Sequence, residues 1–149
     1  MKLFSTEFED GGKIPVKYGY SRSNINPPLK FEDVPQSAMS LALIMDDPDA
    51  MEPAGKVWDH WVLWNIDPSV SEIGENSVPD GAVEGKTDYG ENRYGGPNPP
   101  DKEHSYRFRL LAIDKKIDLP GSADKDQLLR EVENHVIEEA KLFGRYAPQ

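Results

Sequence analysis

Apolar and polar positions mark out three strands. Ser40–Met45 (SLALIM) is a short apolar run, the pattern of a strand covered on both faces. Trp58–Ile66 is aromatic and β-branched, and a period of two puts Trp58, His60, Val62, Trp64 and Ile66 on one face. Tyr106–Ile113 alternates, with Tyr106, Phe108, Leu110 and Ala112 sharing a face. Weaker strand patterns cover Leu3–Phe8, Ile14–Tyr20 and Leu29–Phe31. Near the end the period lengthens. Leu128, Leu129, Val132, Val136, Ile137, Ala140 and Phe143 fall at helical spacing, with Asp124 and Gln127 as a capping box and Gly144 as the stop. The pattern therefore predicts a mainly β fold with a C-terminal amphipathic α-helix laid on the sheet. Glu131 and Glu138 would face solvent from that helix.

Turn signals are frequent: Asp10-Gly11-Gly12, Asn26-Pro27-Pro28, Pro79-Asp80-Gly81, Gly95-Gly96-Pro97 and Leu119-Pro120-Gly121. None looks like an interdomain linker, so residues 1–149 are read as one domain. Ser71–Pro100, rich in Gly, Pro and Asn, reads as a long surface excursion. The formal net charge is -10, which disfavours bulk nucleic acid and anionic membranes as partners. With no cysteine, the chain has no disulfide, thiolate cluster or thiol nucleophile. The N-terminal MKLFSTEFED lacks a signal-peptide core and no apolar run is long enough to span a membrane, so a cytoplasmic location is expected.

Three clusters put polar or rigid residues at strand ends, where a scaffold holds them in place. These are Asp46-Asp47-Pro48-Asp49-Ala50, Trp58-Asp59-His60-Trp61, and Gly95-Gly96-Pro97-Asn98-Pro99-Pro100 followed by His104-Ser105-Tyr106. Each also has a plain structural explanation. Asp-Pro-Asp is common turn chemistry, and a strand histidine is often a satisfied core residue. The chain has only three histidines, and His135, on the expected helix, is read as exposed. If His60 and His104 meet, they and Tyr106 supply convergent N–H and O–H donors, with Asp47 or Asp49 favouring the imidazolium form. Such a set suits a phosphate, a phosphate monoester or a carboxylate. Two histidines and a carboxylate are also a zinc or iron donor set, although no HExxH or His-x-His spacing supports it. No nucleophile elbow, Walker loop or GxGxxG is present. An Asp47–His60 acid–base pair keeps a hydrolase reading open, with or without a metal. A third reading is a regulatory protein whose pocket docks a phosphorylated or acidic segment.

Taken in order, these motifs resemble the phosphatidylethanolamine-binding protein family, whose animal members include the Raf kinase inhibitor protein. The similarity is greatest to its bacterial and archaeal Raf kinase inhibitor-like branch. One family signature appears as Asp47-Pro48-Asp49-Ala50-Met51, then Trp58-Asp59-His60-Trp61. A second appears as Gly96-Pro97-Asn98-Pro99-Pro100, then His104-Ser105-Tyr106-Arg107-Phe108. Pro79-Asp80-Gly81-Ala82 and Gly85-Lys86-Thr87-Asp88-Tyr89-Gly90 are similar to segments of the microbial branch. Met51, Asn98 and Ser105 depart from the family pattern. The resemblance implies a Greek-key β-sandwich-like core with a C-terminal helix. It also implies an anion pocket at the sheet edge, with Asp47, Asp49, Trp58, His60, Pro100, His104 and Tyr106 in or beside it. A homodimer is implied too, as is a small anion or phosphorylated ligand with a regulatory role; no cofactor is.

Overall fold

All eight residues from Ser40 to Asp47 are buried, because the strand they form is covered on both faces. In the computed structural model, which describes Met1–Gln149, the strands are β1 (Lys2–Phe4), β2 (Gly12–Lys13), β3 (Leu29–Glu32), β4 (Ser40–Asp47), β5 (Trp58–Ile66), β6 (Glu72–Ile73), β7 (Val83–Glu84), β8 (His104–Ile113) and β9 (Val136–Tyr146). Two short helices are α1 (Met51–Ala54) and α2 (Lys125–Glu131). The fold is mainly β, with two sheets: six strands in the order β2-β9-β8-β4-β5-β7 and three in the order β1-β3-β6. One face of the large sheet shares a 21-residue core with the small sheet, including Leu29, Phe31, Leu43, Met45, Trp61 and Phe108. The other face packs under α2, where Leu128 and Val132 meet Ile44, Val62 and Trp64.

The three strands expected from the apolar pattern form as β4, β5 and β8, and β8 keeps Tyr106, Phe108, Leu110 and Ala112 on the inter-sheet core. Of the weaker ones, Leu29–Phe31 forms as β3 with one residue more, and the other two are cut back. Leu3–Phe8 is paired only at Leu3 and Phe4, within β1, and Ile14–Tyr20 forms no strand: β2 ends just before it at Lys13, and a 3-10 turn at Val16–Tyr18 follows Pro15. The single apolar face expected for β5 is also corrected. Val62 and Trp64 lie against α2, whereas Trp61, Leu63 and Ile66 enter the inter-sheet core. Two register shifts against β4 cause the split. Leu41 and Leu43 pair with Ile66 and Leu63, so β5 carries one residue more there, and Asn65 has a φ of 55°.

The largest departure is at the C-terminus. The capping box forms as expected: Gln127 N–H donates to Asp124 at 3.0 Å, and Asp124 N–H donates to the Gln127 side chain at 3.2 Å. But the helix ends at Glu131, and Asn134 adopts a φ of 66°. The chain then runs as β9, antiparallel to β8 from His104↔Tyr146 to Ile113↔Val136. Val136, Ile137, Ala140 and Phe143 satisfy helical spacing, but Ala140, Leu142 and Tyr146 alternate into the core, and pairing with β8 decides between the two. Gly144 is therefore no helix stop. A Cβ there would lie 2.5 Å from Ile14, so the glycine permits close approach at the sheet edge. His135 falls between α2 and β9, half exposed, with Nδ1 2.7 Å from Asp114.

Candidate functional site

The end of β4, the start of β5 and the start of β8 meet at one corner of the large sheet. There Met45 pairs with Trp61 but Asp46 pairs with Asp59, so His60 is the extra residue of a bulge. The bulge lets two consecutive side chains, His60 and Trp61, project from the same side. Trp61 joins the inter-sheet core. The His60 ring stands edge-on to the Tyr106 ring, with centroids 5.2 Å apart.

Beyond β4 the Asp47 carboxylate caps the 3-10 turn Pro48–Ala50 by accepting from Asp49 N–H at 3.0 Å. That turn feeds α1, which Gly55 ends with a φ of 74°. Pro53 and Ala54 of α1 form one wall of a cleft, and Asn98, Pro99 and Pro100 form another. The cleft measures about 190 Å³, and Asp47, Trp58, His60, Tyr89, His104 and Tyr106 line it. Asp49 does not. It is exposed, and its carboxylate accepts from Ser105 N–H at 2.8 Å, tying the turn to β8.

His60 and His104 share the cleft but differ in chemistry. His60 Nδ1 lies 2.7 Å from the Gly95 carbonyl, which can only accept, so Nδ1 carries the proton. Gly95 N–H in turn donates to the His60 carbonyl at 2.9 Å. This clamp needs glycine, because a Cβ on Gly95 would lie 2.3 Å from the Tyr89 ring. Burial pushes the His60 pKa down to about 4, against the pull of the Gly95 carbonyl. His60 is therefore neutral near pH 7, and its Nε2 is a lone-pair acceptor.

His104 is held between two carboxylates, Asp47 at 2.6 Å through Nδ1 and Asp101 at 2.7 Å through Nε2. Burial opposes its charge, but the hydrogen bond and charge of Asp47, then those of Asp101, outweigh burial and raise its pKa. Both nitrogens of the imidazolium are thus committed within the protein. Burial pushes Asp47 up as well, with His104 pulling it back. Burial, reinforced by the Asp47 charge, drives the Tyr106 phenol well above its usual range, so it remains an O–H.

The cleft thus gathers six of the seven residues singled out in the sequence: Asp47, Trp58, His60, Pro100, His104 and Tyr106. Sequence reading missed Asp101, although its position three residues before His104 was a usable signal. It also missed Tyr89, which stacks on Tyr20 with centroids 4.1 Å apart and stands edge-on to both Trp58 and His60. Tyr94–Pro97 is buried, so the Ser71–Pro100 excursion is partly an internal wall. No three His, Asp or Glu side chains are arranged to hold a metal ion. No helix is long and apolar enough to cross a membrane.

Residues 4–147 match the family model described as phosphatidylethanolamine-binding protein. A UPF0098 protein of Methanothermobacter thermautotrophicus is 46% identical over 151 residues, covering 98% of both chains. The crystal structure of a phosphatidylethanolamine-binding protein homologue from Chlamydia trachomatis superposes with a TM-score of 0.94 at 38% identity, covering 99% of this chain and 97% of that one. Escherichia coli YbcL, described as a member of the mammalian family, superposes with a TM-score of 0.92 at 28% identity, covering 99% and 98%.

Proposed function

Because the chain belongs to the phosphatidylethanolamine-binding protein family, we propose that its cleft binds the anionic head of a small ligand, a phosphate monoester or a carboxylate, and binds it together with a proton. The observation that carries this reading is the state of the two histidines. His104 has spent both N–H groups on Asp47 and Asp101. His60 offers a lone pair at Nε2, because Nδ1 donates to Gly95. An acceptor facing an anion is repulsive unless a proton lies between them. A phosphate monoester loses its second proton near pH 6, so its monoanion carries a P–OH that can donate to Nε2. Its other oxygens can accept from the Tyr106 O–H.

Other charges around His60 favour the same form. Asp47 lines the cleft, and Asp46 and Asp88 act on the His60 ring through space. They disfavour a dianion and favour uptake of a proton. The walls are the rings of Trp58 and Tyr89 and the prolines, so an apolar or flat substituent beside the anionic head would fit. With a pKa of about 4, His60 itself is too weak a base for efficient proton abstraction near pH 7, which disfavours it as a general base.

Phenyl phosphate, followed by NMR at pH 5.5 and pH 8, tests the reading. Shifts should centre on His60, Tyr106 and Trp58, and the affinity should be at least several-fold higher at pH 5.5. Acetate should compete weakly. His60→Ala should abolish the shifts. Binding that is absent, or equal in His60→Ala, or tighter at pH 8, overturns the proposal.

A further inference from the structure

Behind the cleft, on the face of the large sheet that carries α2, lies a cluster of four charges, of which Asp46, Asp59 and Lys125 are buried and Arg107 is partly exposed. Asp46 is fully buried, and Arg107 holds it through two hydrogen bonds, Nε at 2.9 Å and Nη2 at 2.8 Å. Lys125, the first residue of α2, lies with Nζ 3.2 Å from Asp46 Oδ2 and 2.5 Å from Asp59 Oδ1. The Asp59 contact is an ion pair whose angle misses that of a regular hydrogen bond. Lys125 is itself buried. Asp46 and Asp59 are cross-strand partners, and the next residue of β5 is His60, the extra residue of the bulge.

We propose that Lys125 is a positioning residue for the cleft: by bridging Asp46 and Asp59 behind the sheet, it holds the bulge that turns His60 toward the ligand. The consequence for affinity rests on the anion-binding reading above, whereas the state of the bulge can be measured without any ligand. The physical reason is repulsion. Two buried carboxylates at paired positions stay ionised only with a cation between them. Burial pushes Asp59 up and Lys125 pulls it back, and Arg107 contacts only Asp46. Without the ammonium, Asp59 must take up a proton or swing away, and either change loosens the residue that precedes His60. The same residue orders a second wall. Asp59 N–H donates to the Asp88 carboxylate at 2.7 Å, and Asp88 N–H donates back to the Asp59 carbonyl at 3.0 Å. The next residue is Tyr89, which lines the cleft.

The test reads the His60 ring by its side-chain ¹⁵N shifts in the ligand-free protein, alongside phenyl phosphate affinity at pH 5.5. The wild type should show the single Nδ1–H tautomer. Lys125→Met should show a mixture of tautomers and at least tenfold weaker binding, and Lys125→Arg should recover both to within about threefold. Asp59→Asn, a milder change that retains shape, should move both readouts in the same direction and keeps the test open if Lys125→Met does not fold. Leu128→Ala, which weakens α2 without touching the carboxylates, should leave the tautomer unchanged. A wild-type tautomer in both Lys125→Met and Asp59→Asn overturns the proposal, as does a mixed tautomer in Leu128→Ala. A wild-type protein that shows no phenyl phosphate binding removes the anion reading, and the tautomer then judges the positioning role alone.

Discussion

Asp46 and Asp47 are consecutive residues at the end of one strand, yet they serve opposite faces of the sheet. Asp46 points to the α2 side, where Arg107 and Lys125 outweigh burial and hold its carboxyl below the usual range. Asp47 points to the cleft, where its one cation is His104 and burial raises it. Across the strand pair the pattern repeats, with Asp59 on the back and His60 at the front. The back face is a closed ionic lock. The front is an open cleft with one histidine saturated and one holding a free lone pair. A one-residue alternation, adjusted by one bulge, thus separates a group that stabilises the sheet from a group that can meet a ligand.

Three experiments would break or sharpen that contrast. The largest effect should come from the back. Asp46→Ala leaves Arg107 and Lys125 without their shared carboxylate, and loss of one partner from a buried ion cluster costs about 3–5 kcal/mol. Urea denaturation should show that drop; a change within error would mean the cluster is not a lock.

The next is a pH effect at the front. Below pH 6.5 the unfolded chain protonates the residue at position 60, whereas folded His60 resists down to about 4. Stability should therefore fall as pH drops through that window, by about 3 kcal/mol from this residue. The difference in stability between pH 7 and pH 4 should shrink by about that amount in His60→Gln, as measured by denaturing both proteins at each pH. His104 has the opposite sign: its contribution is present below the ordinary histidine value and is lost as pH rises through the raised one.

The smallest effect should be Asp47→Asn. The amide oxygen can still accept from Asp49 N–H, and the amide NH2 can donate to Nδ1 of a neutral His104, so the stability loss should be about 1 kcal/mol. The His104 pKa, read by NMR titration, should fall. An unchanged value would show that Asp101 alone holds the imidazolium.

The candidate site was more legible than the fold around it. His60, His104 and Tyr106 could be picked out because polar groups at the ends of apolar strands are few in a chain with three histidines. Asp49 belongs to the same motif as Asp47, and nothing in the sequence separates the carboxylate that faces the cleft from the one that pins Ser105. The apolar face of β5 was misread because a bulge leaves no mark in a run of aromatic and β-branched residues, although Asn65, with its positive φ, is a residue type that tolerates one.

By itself the sequence determined the strands β4, β5 and β8, the capped start of α2, and the set of groups available for chemistry. Local alternation and side-chain oxygens near backbone N–H groups suffice for these. Only the tertiary structure decided that residues 136–146 form a strand, because the choice rests on pairing with β8 across a long sequence separation. It alone decided the protonation of the histidines as well. Which carbonyl or carboxylate meets each ring nitrogen depends on Gly95, Asp47 and Asp101 arriving from separate segments, and a proton's position follows its partners.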